Sequence, residues 1–298
     1  MPYIKQTCIA GKTKEFMFYY TSKYNKKGGT REKNTNKTPE AQKKINSRNS
    51  ARKLTRILNA NFDGSSWYIT LSYKKNLRPT DKKAFKCDVD KFLRNLRALY
   101  KREGKVLKYV WVPEMGERGA VHIHIVINNI EALKVKNLWN KGWITLKPLD
   151  NDGQYRRLAN YFIKYSDKAM KTEESISSRR YNASKNLIIP EPEKKVVMGR
   201  NAYNHTICVP EGWCIDKDSI VEAWHEVTGY MFFTYTLIYI GKTNIVFDRI
   251  FSMGMETGEI EIKERHIKQK GRNKHAKLQN KSNENTDRKG DVVRSGRR

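Results

Sequence analysis

Acidic side chains are scarce in this chain. Its 298 residues carry 31 Asp and Glu against 60 Lys and Arg, a formal net charge of +29 at pH 7. Such a surface attracts polyanions, nucleic acid first and an anionic membrane second. Long apolar runs are missing as well. The longest, YMFFTYTLIYI, is far short of the roughly 20 residues that span a bilayer, and it reads as a buried strand or helix. The opening MPYIKQTCIAGKTKEF has no apolar core of the signal-peptide kind, so export is not expected. Cysteine is sparse: Cys8, Cys87, Cys208 and Cys214 are scattered, which points to free thiols in a reducing cytoplasm. His205 with Cys208 and Cys214 fits no standard zinc-finger spacing. Finally, AGKT (10–13) and IGKT (240–243) both lack the earlier glycine of a P-loop, so no ATPase is expected.

What is present divides the chain into four expected parts. Residues 1–60 read as a basic N-terminal arm and helix, the helix starting with Thr38 as cap and Pro39 at its first position. Residues 61–200 carry the alternating and helical patterns of a folded domain. Residues 201–262 form an accessory segment rich in aromatics, and residues 263–298 a basic tail with too few apolar residues to fold.

Within the folded part, WYITLSY (67–73) alternates as a strand does. After the turn NLRPT, with Thr80 as cap, Phe85, Val89, Phe92, Leu93, Leu96 and Leu99 recur at helical spacing. VLKYVWVPE and AVHIHIVIN are two further strands, EALKVKNLW a short helix and WITLKPL a fourth strand. The order βαββαβ specifies an α+β, ferredoxin-like antiparallel sheet with helices on one face. A longer helix follows from about Gln154 to Met170.

Alternation along AVHIHIVIN puts His122 and His124 on one face and Ile123, Ile125 and Ile127 on the other. The isoleucine face should take the helices and the histidine face should be open. A three-residue hairpin loop at Glu117, Arg118 and Gly119 sets Glu114 directly across from His122. Two imidazoles and a carboxylate on one face make a candidate divalent-metal site with open positions; the alternative is that the histidines are merely polar residues on a solvated strand.

In YFIKYSDK, Tyr161, Lys164, Tyr165 and Lys168 fall at i, i+3, i+4 and i+7, one face of a helix, whereas Leu158, Phe162 and Ala169 point elsewhere. A plain amphipathic helix would look the same. The chemical reading is sharper: a phenol attacks a phosphodiester when a metal polarises the phosphate and a cation stabilises the phenolate.

Together these motifs resemble HUH-family rolling-circle replication initiators of the phage and bacterial-element type. HIHIV resembles the HUH motif, YFIKYSDK the tyrosine motif and WYITLSY the first strand motif. The resemblance spans roughly residues 62–190. It implies a site-specific DNA endonuclease and strand transferase in which Glu114, His122 and His124 hold Mg²⁺ or Mn²⁺. Tyr161 or Tyr165 would attack single-stranded origin DNA, leaving a 5′-phosphotyrosine and a free 3′-OH for a host polymerase. Lys164 or Lys168 would steady phosphate charge. The basic segment SSRRYNASKNL resembles one found in such initiators, which marks Arg179, Arg180 and Lys185 as DNA contacts. Without a P-loop, unwinding would fall to a host helicase. A transposase or mobilisation relaxase shares this chemistry, and a non-enzymatic RNA-binding domain shares the strand order; an iron oxygenase would explain neither the charge nor the tyrosine helix.

Overall fold

The computed structural model describes residues 2–21, 39–116, 120–169, 179–198, 206–226, 229–241, 248–253 and 260–265. The elements in chain order are β1 (Tyr3–Ala10), β2 (Thr13–Tyr20), α1 (Glu40–Asn61), β3 (Trp67–Ser72), a 3-10 turn (Lys75–Leu77), α2 (Lys82–Arg102), β4 (Tyr109–Met115) and β5 (Val121–Ile127). They continue with α3 (Ala132–Lys136), β6 (Ile144–Pro148), α4 (Arg156–Ala169), β7 (Asn182–Ala183), β8 (Glu193–Val197), β9 (Ile207–Val209), β10 (Trp213–Trp224), β11 (Met231–Tyr239), β12 (Asp248–Met253) and β13 (Ile260–Arg265).

The α+β class and the βαββαβ order are those the sequence specifies. One antiparallel sheet runs β6-β3-β5-β4-β7, its first four strands being the ferredoxin-like set. On its isoleucine face, Ile123, Ile125 and Ile127 pack with Phe85, Phe92 and Leu96 of α2 and Val135 of α3. Each such side chain, fully buried, contributes roughly 1.5–3 kcal/mol. The cap of α2 is Asp81 rather than Thr80: its carboxylate accepts the Ala84 N–H at 2.7 Å, satisfying one of the orphan donors of the first turn.

The other face is less open than alternation alone implies. Val110, Val112 and Val126 lie there, and they are covered by Leu54 and Leu58 of α1 and by Ala159, Phe162 and Ile163 of α4. Helices therefore pack on both sides of the sheet. The reason is plain in the residues: only the β5 end carries histidines, and the three valines need burial. α1 begins at Glu40, with the extended Pro39 before it (ψ 151°) rather than inside the first turn; Thr38 lies outside the described residues.

A second antiparallel sheet, β10-β11-β2-β1-β8, joins strands of residues 3–20 to strands of residues 193–239. β2 pairs with β1 on one side and with β11 on the other, so residues 3–20 are interior to a sheet and not an arm. The AGKT stretch is the turn of the β1–β2 hairpin, with Ala10 opposite Thr13 and Gly11 at φ +54°. A Cβ at Gly11 would stand 2.0 Å from the Asn59 carbonyl oxygen, so the hairpin's contact with α1 requires glycine. Ile207 and Val209 of β9 pack on Phe16, Phe18 and Phe233 of this sheet, and β9 pairs with β12 in a third sheet, β13-β12-β9. The expected division at residue 200 is thus crossed by strand pairing. β13 includes Lys263–Arg265, the first residues of the expected tail; 266–298 lie outside the described residues. Among the described residues no helix is long and apolar enough to cross a membrane.

Candidate active site

The site grows from cross-strand register. β5 pairs with β3 so that Thr70 faces His124 and Ser72 faces His122, and with β4 so that Glu114 faces His122, the pairing the sequence anticipates. The loop residues Glu117, Arg118 and Gly119 that would set it lie outside the described residues, but the closing bond from Gly116 N–H to the Ala120 carbonyl is formed at 2.7 Å.

Hydroxyls of β3 fix both imidazoles. Ser72 Oγ lies 3.0 Å from His122 Nδ1; Tyr68 Oη lies 2.7 Å and Thr70 Oγ1 3.2 Å from His124 Nδ1. With Nδ1 committed to a hydroxyl, Nε2 is the nitrogen that remains for a ligand bond, the usual arrangement behind a metal-binding histidine. Tyr68 also lies parallel to the His124 ring, centroids 5.7 Å apart. Tyr68, Thr70 and Ser72 are absent from the residues the sequence singles out, although alternation on WYITLSY places them on the histidine face.

His124 Nε2 meets Glu114 Oε2 directly. Burial pushes the imidazole below its usual pKa, against the opposing pull of Glu114. Tyr161 reaches the same carboxylate oxygen, its hydroxyl donating at 3.4 Å, and its ring stands edge-on to His124 at 5.5 Å. Burial first, then the neighbouring Tyr68 phenol and the Glu114 carboxylate, hold the Tyr161 phenol well above its usual pKa. Tyr165 packs on Tyr161, ring centroids 4.4 Å apart, while Lys164 and Lys168 are exposed.

The structure thus brings Glu114, His124, Tyr161 and Tyr165 together and sets His122 beside them on the same face. It does not close a cage: among the described residues no three His, Cys, Asp or Glu side chains converge tightly enough to grip one ion. The donor set itself, one carboxylate and two imidazoles with their Nδ1 atoms anchored, fits a divalent cation of the Mg²⁺ or Mn²⁺ kind. His205, of the spacing considered for zinc, lies outside the described residues.

The basic segment after α4 does not join this group. Arg180 Nε pairs with Asp167 of α4 at 2.6 Å and its Nη1 donates to Ser50 of α1 at 3.2 Å, while Ser47 donates to the same aspartate at 2.6 Å. Its guanidinium fastens α4 to α1. Lys185 is exposed at the opposite edge of the sheet, beside β4 and β7, and Arg179 is exposed next to Arg180.

Residues 66–170, just over a third of the chain, match the family model of the replication-associated protein ORF2/G2P. That span begins just before β3 and ends with α4, so it holds every residue of the site and excludes the second sheet. No curated protein and no solved structure matches the chain. The match supports a replication-initiator relationship for this region.

Proposed function

We propose that this chain is a replication initiator that nicks single-stranded DNA through Tyr161 and holds the cut 5′ end as a phosphotyrosine. One observation carries the reading: the Tyr161 hydroxyl is hydrogen-bonded to Glu114, which itself contacts His124. A nucleophile and a metal-type donor set share one surface. The family match over 66–170 supports the replication role.

Glu114, His122 and His124 would hold Mg²⁺ or Mn²⁺, whose charge, when bound, offsets the carboxylate and polarises a phosphate. The protein's own groups do the rest. The Tyr161 oxygen forms a bond to phosphorus as the bond to the 3′ oxygen breaks. The phenol gives up its proton toward Glu114, and the departing oxygen takes one from solvent water, leaving a 3′-OH for a polymerase. Because the new phosphodiester conserves the old one, a later 3′-OH can reverse the step without ATP. Lys164 and Lys168 extend from the helix that carries Tyr161 and suit phosphate charge.

The test is incubation with labelled single-stranded DNA, with and without Mn²⁺, followed by a denaturing gel. A metal-dependent covalent adduct is expected, lost in the His122→Ala, His124→Ala double variant. An adduct formed by that variant in the presence of chelator would overturn the reading.

A further inference from the structure

We propose that the exposed half of the histidine face, headed by Trp143, is a stacking platform for an unpaired base of the DNA strand beside the scissile phosphate. The inference deepens the proposed nicking function and rests on it for the word scissile. Its basis is a row of four residues: Glu114, His122 and Ser72 on β4, β5 and β3, and Trp143 just before β6. Trp143 and Ser72 exchange both backbone hydrogen bonds, N–H to O at 2.9 and 3.1 Å. Ser72 faces His122, and His122 faces Glu114. Residues directly opposite in a sheet point to the same side, so Trp143 shares the face of the site, two strand spacings or roughly 10 Å from His122.

α4 packs on the β4 side of this face, where Val110, Val112 and Val126 are fully buried. The β6 side is different. Trp143 is 64% exposed, and Thr145 and Lys147, the next residues on the same face of β6, are exposed as well. Ile144 and Leu146, between them, pack into the opposite core. A large indole is thus left mostly in solvent at the end of the row that holds His122 and Glu114.

The backbone beneath it is held still. A Cβ at Gly142 would lie 2.1 Å from the Ser72 carbonyl oxygen, so glycine alone permits the approach that places Trp143 there. Lys74 N–H donates to the Lys141 carbonyl at 2.9 Å, and Lys141 pairs with Asp88 at 3.3 Å. Exposed Lys74 and Lys75 on one side and Lys147 on the other supply phosphate-binding charge. An aromatic face flanked by ammonium groups is the chemistry that binds single strands: bases stack on the ring while cations follow the backbone. A paired base is already stacked on its neighbours, so duplex has less to gain here.

The experiment uses the full chain and a short, fluorescein-labelled, mixed-sequence DNA strand. Trp143→Ala should weaken binding about ten-fold or more, and Trp143→Phe should restore most of it. The salt dependence of affinity should keep its slope in Trp143→Ala, because stacking displaces no counterion, whereas Lys147→Ala should lower it by roughly 0.7. A strand carrying 5-iododeoxyuridine should crosslink to Trp143, located by mass spectrometry. Wild-type affinity in Trp143→Ala together with no crosslink at Trp143 would overturn the proposal, as would an effect of the variant on an RNA strand of the same sequence and none on DNA. The covalent adduct is read separately: loss of affinity and crosslink in a protein whose wild type makes no adduct supports the platform while the nicking reading fails.

Discussion

Tyr161 and Tyr165 lie one helical turn apart, so their Cβ atoms are roughly 5–6 Å from each other and either could in principle face one phosphate. Their surroundings differ. Tyr161 donates to Glu114 and stands against His124, whereas Tyr165 reaches this group by packing on the Tyr161 ring. The first covalent step should therefore belong to Tyr161. Tyr161→Phe should lose or strongly slow the first adduct, Tyr165→Phe should form it yet fail to release closed circles, and the double variant should bind DNA without any adduct. Gel analysis of adduct and circle formation checks all three; normal nicking by Tyr161→Phe would transfer the role to Tyr165. The positions of Glu114, His122 and His124 are legible because strand alternation and hairpin register are local rules, and the short loop that pairs Glu114 with His122 needs no tertiary information. The supporting hydroxyls of Tyr68, Thr70 and Ser72 were also within reach of that rule. They escape notice because Thr and Ser on a strand face carry no chemical signature until the neighbouring strand is known.

At the level of elements, the tyrosine helix is fixed at both ends by contacts that no local pattern announces. At its start, Asn59 of α1, buried, accepts the Tyr155 N–H at 2.9 Å and donates to Thr13 at 2.9 Å and to Gln154 at 3.1 Å. Arg156 and Arg157 pair with Asp216 and Asp218 of β10 at 3.4 and 2.7 Å. At its end, Asp167 is gripped by Arg180 and Ser47. A phosphodiester attack tolerates little misplacement, so these ends matter beyond the stability of their ion pairs, of which the exposed Arg157–Asp218 pair is worth little and the other two are partly buried. Arg180→Ala should lower the rate of adduct formation and the melting temperature by a few degrees, while leaving DNA affinity and its salt slope nearly unchanged. If Arg180 were instead a phosphate contact, affinity would fall and the slope would drop by roughly 0.7 for single strands, with melting unaffected. A filter-binding series over salt, run beside thermal melting, separates the two. The resemblance of SSRRYNASKNL to a segment of such initiators marks Arg180 as a DNA contact, and nothing local announces its partner: the aspartate is thirteen residues away, on a helix whose orientation only packing fixes.

For the molecule as a whole, the first twenty residues decide the outcome. Their alternation and the two-residue Gly11–Lys12 turn are a hairpin signal, yet the strand that makes them structural, β11, lies more than two hundred residues later, and such pairing cannot be read from local pattern. Phe16 and Phe18 of β2 sit in the core with Phe233 and Tyr235 of β11, and Glu15 of β2 pairs with Arg52 and Arg56 of α1 at 3.0 and 2.6 Å. One strand thus ties the second sheet to the helix that packs beside α4. Removing residues 1–21 would open the centre of that sheet, expose the aromatic core, and leave Arg52, Arg56 and Asn59 without Glu15 and Thr13, a buried-polar cost of about 1–3 kcal/mol per unsatisfied group. The truncated chain should lose its cooperative melting transition for the second sheet, become sensitive to proteolysis within β10 and β11, and form adduct poorly even at saturating DNA. An arm that merely contacts phosphate predicts the reverse: unchanged melting, full adduct at high DNA, and a loss confined to affinity at raised salt. Circular dichroism melting and limited proteolysis of the truncated protein, set beside its adduct yield at saturation, distinguish a structural hairpin from a dispensable basic arm.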